Sequence, residues 1–189
     1  MNEKKPWKTL ETQELMKTGF FRLRLDRCEM NDGKIVPKYY VFEIPDWVQV
    51  VPVTPENKLV LVKQYRHASG EFSLELPGGT TSLTSKEDPV KAAERELSEE
   101  TGYSSSNYRL IGRHRPNPAL QNNFVHSYIA LNCKKTSDQN LDPYEEIDIV
   151  EASIPEVIDL VLKGKITHSL MVATLFMALP HLGFNLSSK

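Results

Sequence analysis

Four glutamates and one arginine crowd into residues 94–100, read ERELSEE. On a helix, residues three and four apart are neighbours, so Glu96 would stand beside both Glu99 and Glu100, and Arg95 would reach Glu99. On a wet helix face such crowding costs only about 0.2–0.5 kcal/mol per like-charge pair. In a partly enclosed cleft, carboxylates about 5 Å apart would repel by roughly 3 kcal/mol at an effective dielectric near 20. A divalent cation would turn that repulsion into attraction. Oxygen-only ligands on a rigid element suit magnesium or manganese better than zinc. The two readings, solvated face and metal site, differ in what must surround the helix.

The helix itself is well marked. Asp88 fits an N-cap, Pro89 the first helical position and Gly102 the C-terminal cap. Val90, Ala93 and Leu97 supply an apolar stripe at helical spacing. Glu96 adjoins that stripe instead of lying opposite it, a placement that a purely solvating design has little reason to choose. Glu94 falls on the open side.

Around this helix the chain reads as a mixture of strands and further helices. Phe20 to Cys28 and Ile35 to Ile44, joined through Asn31-Asp32-Gly33, predict an antiparallel hairpin. Valine-rich runs at 47–54 and 58–65, separated by Pro55-Glu56-Asn57, predict a second and more buried hairpin. Strands are expected at 108–113, 124–131 and 147–152, an amphipathic helix at 155–162, and a last, mostly apolar helix at 169–179. The class is α+β, with an N-terminal antiparallel β segment over residues 1–45 and the main domain over 46–189.

Composition narrows the function classes. Of 189 residues, 40% are hydrophobic and 25% charged, with a formal net charge of -2, ordinary values for a globular domain that give no sign of a nucleic-acid surface. The two cysteines, Cys28 and Cys133, have no metal-ligand spacing. The N-terminus lacks a signal-peptide pattern and no apolar stretch is long enough to span a bilayer. A cytoplasmic protein with neither nucleic-acid nor membrane partner is the expectation.

The segment ELPGGTTSLTSKEDPVKAAERELSEETGY, Glu75 to Tyr103, resembles the Nudix box, G-x5-E-x7-R-E-U-x-E-E-x-G-U with U apolar. Gly79, Glu87, Arg95, Glu96, Leu97, Glu99, Glu100, Gly102 and Tyr103 stand at its specified positions. Seven residues, Thr80 to Lys86, separate Gly79 from Glu87 where the pattern has five, and Tyr103 is more polar than the usual last residue. The resemblance implies an α/β/α sandwich with a mixed sheet and a Mg²⁺-dependent hydrolase, with Mn²⁺ as a substitute. It also implies Glu96 and Glu100 as principal metal ligands, Glu99 as a ligand or water-orienting group, the carbonyl of Gly78 as a further ligand, and Arg95 as their brace.

The run VKQYRHASGEFSLELPGG, Pro118 some sixteen residues beyond Gly102, and the segment DPYEEIDIVEASIPEVIDLVLKGKITHSLMVATLFMAL are similar to ADP-ribose pyrophosphatases and related nucleoside diphosphate sugar hydrolases. This likeness implies a homodimer that exchanges its N-terminal sheet, and a general base on a downstream loop, for which Asp142, Glu145 and Glu146 are candidates and Glu145 or Glu146 is favoured. Arg66 is expected to clamp phosphate. Trp7 and Trp47 could stack on the base, and Gly79 and Pro118 are expected near substrate. Hydrolases of other nucleotides, such as dinucleoside polyphosphates, NADH, coenzyme A derivatives or damaged triphosphates, remain alternatives. So does a silent nucleotide-sugar sensor, against which the complete row of carboxylates argues.

Overall fold

The structure, a computed structural model, describes residues 5–82 and 87–184. The chain divides into two compact units, Met1–Pro45 with Arg115–Phe124, and Asp46–His114 with Val125–Lys189.

The first unit is a three-stranded antiparallel sheet of β1 (Lys8–Lys17), β2 (Arg22–Glu29) and β3 (Ile35–Glu43), in the order β1-β2-β3. The predicted hairpin is β2–β3, turned by Gly33 at a φ of 81°. β1 is rich in Glu, Gln, Leu, Met and Lys, which favour helix. It is a strand because its backbone pairs with β2 along its length, and all ten of its residues are exposed. The proline-bearing loop Arg115–Phe124, which the division at residue 46 assigned to the main domain, belongs with this unit. Phe42 donates its N–H to the Leu120 carbonyl at 2.8 Å, Asn122 donates to the Phe42 carbonyl at 3.2 Å, and the Tyr39 hydroxyl donates to the Ala119 carbonyl at 2.9 Å.

The second unit holds β4 (Trp47–Val53), β5 (Lys58–Arg66), β6 (Glu71–Glu75), β7 (Gly78–Thr80), α1 (Pro89–Thr101), β8 (Tyr103–Ser104), β9 (Asn107–His114), β10 (Val125–Leu131), β11 (Lys134–Lys135), β12 (Ile147–Ser153), α2 (Ile154–Leu162) and α3 (Ser169–Ala178). Its main sheet runs β12-β5-β4-β10-β9 and is mixed, because β10 lies parallel to β4 while the other pairings are antiparallel. Strand alternation sorts the core into two layers. Val48, Val50 and Val60 pack with Ala92, Ala93 and Leu97 of α1 on one face. Val51, Val53, Leu59 and Leu61 pack with Val157 of α2 and Met171 and Leu175 of α3 on the other. The result is an α/β/α sandwich. No helix among the described residues is long and apolar enough to cross a membrane.

The second predicted hairpin forms only at its turn. β4 and β5 pair at Val53 and Leu59, then part. β6 takes up β5 over residues 62–66, and β7 takes up β4 over residues 47–49. The splay depends on Pro77-Gly78. Val50 donates its N–H to the Pro77 carbonyl at 2.9 Å, and a Cβ on Gly78 would lie 2.2 Å from the Val48 carbonyl oxygen. Only glycine allows so close a backbone approach. The opened seam delivers residues 75–80 beneath α1.

Candidate active site

α1 begins as its sequence predicts. The Asp88 carboxylate accepts the Val90 N–H, Pro89 occupies the first turn, and Gly102 ends the helix at a φ of 70°. Its buried residues are Ala92, Ala93, Leu97, Glu100 and Thr101. A glutamate therefore sits on the inward stripe itself, which the apolar spacing alone did not reveal.

Glu100 is 4% exposed and accepts the Gly78 N–H at 2.9 Å. No ion pair among the described residues reaches it. Burial, joined by the charges of Glu96 and Glu145 and offset in part by the Gly78 amide, pushes its carboxyl up to about 8. Glu96 is likewise raised, first by burial and then by Glu99 and Glu145, against the pull of Arg95. Its carboxylate lies against Gly79, where a Cβ would fall 2.5 Å from Oε1. The glycine therefore makes room for the carboxylate.

Arg95 links the carboxylates of the helix to the loop before it. Nη1 donates to Glu96 at 2.9 Å and to Glu99 at 3.0 Å, and Nη2 donates to the Thr80 carbonyl at 3.1 Å. Its Nε donates to Glu87 at 3.3 Å, and Glu87 in turn accepts the Ser82 N–H at 2.8 Å. Glu87 thus keeps its hold on Arg95 despite the longer loop, and Arg95 holds its carboxyl below the ordinary range. Within that loop, residues 83–86 lie outside the described residues. Glu94 pairs with Lys91 at 2.6 Å on the open side. Glu99 remains 37% exposed.

Two further groups face the same side of the sheet. Arg66, at the end of β5, donates from Nε and Nη2 to the two oxygens of Glu75 at 2.8 and 2.7 Å. The charges of Glu100 and Glu145 also act on it. Glu145 lies in a turn in which its carboxylate accepts the Asp142 N–H at 3.1 Å. Its loop is strapped to α1: the Gln139 side-chain amide donates to the Glu100 carbonyl at 2.6 Å and to the Ile147 carbonyl at 3.1 Å, and Asn140 donates its N–H to the Glu99 carbonyl at 2.9 Å. Glu145 and Glu146 are both exposed, but it is the charge of Glu145 that is felt at Glu96, Glu100 and Arg66.

The other expected site residues fall in both units. Trp47 is half-buried at the start of β4, in register with Val125 and Thr80. Trp7 and Pro118 belong to the first unit, where Trp7 meets Tyr39 edge-on at 6.2 Å and Pro118 is exposed in a turn. Gly78 meets Glu100 through its amide, whereas the resemblance pointed to its carbonyl. Glu75, Gln139 and His168 were not singled out from the sequence. Glu75 stood in the quoted ELPGG run, and its inward position follows only once β6 is registered on β5.

No group of three His, Cys, Asp or Glu among the described residues stands close enough to form a ready cage. The donor chemistry nonetheless fits a hard divalent cation: a buried carboxylate, Glu100, with no ion pair among the described residues, beside the part-buried Glu96 on the same helix. The arrangement offers charge neutralisation at Glu96 and Glu100, a guanidinium at Arg66 and a carboxylate at Glu145.

Comparison with known proteins agrees with this geometry. A model of the NUDIX domain matches residues 45–174, and a model of the nucleoside diphosphate sugar hydrolase N-terminal domain matches residues 7–42. A methanol dehydrogenase activator of Bacillus methanolicus is 31% identical over 86% of each chain. An ADP-ribose pyrophosphatase of Bacillus subtilis is 28% identical over 82% of each chain. Another, from Mycobacterium tuberculosis, is 29% identical over 88% of this chain and 80% of its own. The fold superposes on the crystal structure of an ADP compounds hydrolase with a TM-score of 0.84 over 97% of each chain, at 19% identity. The domain match spans well over half the chain and contains the box, the splayed strands and α1, and the chain therefore belongs to the Nudix family of hydrolases.

Proposed function

We propose that the protein hydrolyses the diphosphate bond of ADP-ribose or another nucleoside diphosphate sugar, giving a nucleoside monophosphate and a sugar phosphate. The observation that carries this reading is Glu100, buried, with no ion pair among the described residues, beside Glu96 and within the field of Arg66. The two pyrophosphatase relatives and the nucleoside diphosphate sugar hydrolase N-terminal domain support the substrate class.

Glu96 and Glu100, with Glu99 and the Gly78 carbonyl, would hold Mg²⁺, for which Mn²⁺ can substitute. When bound, the cation neutralises diphosphate charge and lowers the pKa of water. Arg66 binds phosphate oxygens, and Arg95 fixes the helix carboxylates against their mutual repulsion. Glu145, more than Glu146, accepts the proton of the attacking water as one bridging P–O bond breaks and a P–O bond to that water forms. Trp7, Trp47 and Pro118 are assigned to substrate, with the two tryptophans stacking on the base. The ten exposed residues of β1, with Trp7, Leu10, Leu15 and Met16 open on a single chain, support a homodimer built through this sheet. A cytoplasmic location is part of the same reading.

Chromatography of products from nucleotide sugars, dinucleotides and triphosphates, with and without Mg²⁺, tests the reading. Metal-dependent release of a nucleoside monophosphate from nucleotide sugars is expected. Triphosphates as the best substrates would refute the substrate class.

A further inference from the structure

Glu75 is 3% exposed, and the chemistry above makes no use of it. β6 places it opposite Val62 on the α1 face of the sheet. A carboxylate is costly there unless it is paired. Its partner is Arg66, held side-on by Nε to Oε1 at 2.8 Å and Nη2 to Oε2 at 2.7 Å. That fork takes two of the five guanidinium N–H groups. Among the described residues both hydrogens on Nη1 and the second on Nη2 remain, and together they form an end-on fork of the kind that matches a phosphate. The Arg66 side chain is 46% exposed and that of Glu75 4%, so the buried member of the pair anchors the open one.

His168 adds a second hold. Its Nδ1 lies 3.1 Å from Glu75 Oε2, the oxygen that also receives Arg66 Nη2. It occupies the N-cap of α3, yet its side chain makes no capping hydrogen bond. That position ordinarily takes Ser, Thr, Asp or Asn, whose side chains cap the helix. The His168 Nδ1 is closed to solvent and makes no aligned hydrogen bond among the described residues, so what it offers Glu75 is a close polar approach. The imidazole is thus turned from the helix toward the carboxylate. Glu71, opposite Arg66 in register, is exposed and receives a long bond from Thr167, leaving Glu75 as the carboxylate that sets the guanidinium plane.

We infer that Glu75, steadied by His168, is a positioning residue that presents the end-on fork of Arg66 to a phosphate of the bound nucleotide. The inference rests on the reading of Arg66 as the phosphate clamp. Its physical basis is that a guanidinium held in place loses less freedom when it binds. This predicts a sign opposite to simple electrostatics. Removing the negative charge of Glu75 would strengthen phosphate binding if charge alone mattered, and weakens it if Glu75 aims Arg66.

The test is calorimetric titration of the full chain with ADP, for the wild type, Glu75→Gln, Arg66→Ala, the double variant and His168→Ala. Arg66→Ala is expected to weaken ADP by about tenfold to a hundredfold, in line with loss of hydrogen bonds to a charged group. Glu75→Gln should weaken it about tenfold and His168→Ala by less, on the same scale of charged hydrogen bonds. The double variant should bind as Arg66→Ala does. Unchanged or tighter binding by Glu75→Gln, or additive losses in the double variant, would overturn the inference. Circular dichroism checks folding; if Glu75→Gln unfolds, Glu75→Asp keeps the charge with a shorter reach and should bind more weakly, and wild-type affinity there would equally overturn it. If the wild type binds ADP with this pattern but cleaves no nucleotide sugar, the proposed activity falls and the positioning role stands. If the wild type does not bind ADP, both fall.

Discussion

Glu75 and Glu100 are two glutamates of nearly equal burial, 3% and 4% exposed, on the same side of one sheet, and they are held in opposite ways. Burial works to raise both. At Glu75 the Arg66 fork and His168 outweigh it and hold the carboxyl well below the usual range. At Glu100 a backbone N–H and the charge of Arg66 do not, and neighbouring carboxylates add to the rise. The difference shows that burial of a charge does not say what the charge is for. A paired carboxylate is part of the fold's own architecture, whereas an uncompensated one beside another carboxylate is stress that a ligand can relieve.

Breaking the comparison from the Glu100 side should have the largest effect. Glu100→Gln, or Glu96→Gln, is expected to lower turnover by more than the ~10–100-fold typical of losing an outer partner of a metal ligand. For Glu100→Gln the melting temperature in the absence of metal should hold or rise, since the cost of burying an ionisable carboxyl is removed. Steady-state hydrolysis beside thermal melts measures both, and loss of activity through unfolding would remove the contrast with Glu75.

Next in size is Gly79→Ala. A methyl 2.5 Å from Glu96 Oε1 must displace that carboxylate, and a fall of about tenfold in kcat is expected, with little change in the melt. Retained turnover would mean that the Glu96 carboxylate has somewhere else to go.

On the Glu75 side, Glu75→Gln should cost about 1–2 kcal/mol of stability, less than the ~3–5 kcal/mol for breaking a fully buried pair because Arg66 is half-exposed. Denaturant unfolding measures it.

The pH profile of stability sharpens the same contrast. The folded-state value of Glu75 lies below its unfolded one, so its contribution is complete above about pH 4.3 and fades as the pH falls below that. Glu100 runs the other way. With a folded-state value of about 8 it binds a proton in the native state that the unfolded chain has given up, so metal-free protein loses stability as the pH rises from about 5 toward 8. Glu100→Gln should flatten that decline and leave the acid limb in place. Melts across this range decide it.

What was legible in the sequence was set by local physics. Asp88, Pro89 and Gly102 cap α1 through contacts within a few residues, and Asn31-Asp32-Gly33 turns its hairpin in the same way. The spacing of the glutamates placed Glu96, Glu99 and Arg95 together, and the structure joins them by hydrogen bonds. What was not legible depends on distant pairing. β4 and β5 read as a continuous hairpin because both are valine-rich, and only the backbone approach at Gly78 shows why they part. Glu75 gained meaning from its register with Val62 and from an arginine nine residues away. The loop Arg115–Phe124 follows Phe42 by hydrogen bonds that no local pattern announces. Glu145 and Glu146, equal in the sequence, differ in the fold in that the charge of Glu145 acts on Glu96, Glu100 and Arg66.

Metal titration followed by thermal melting tests, without requiring turnover, whether the α1 carboxylates form a divalent-cation site. Metal-stripped wild-type protein should rise in melting temperature with added Mg²⁺, more at pH 8 than at pH 6, while Glu100→Gln should show little or no rise. An equal rise in the variant, or none in the wild type, would contradict the account.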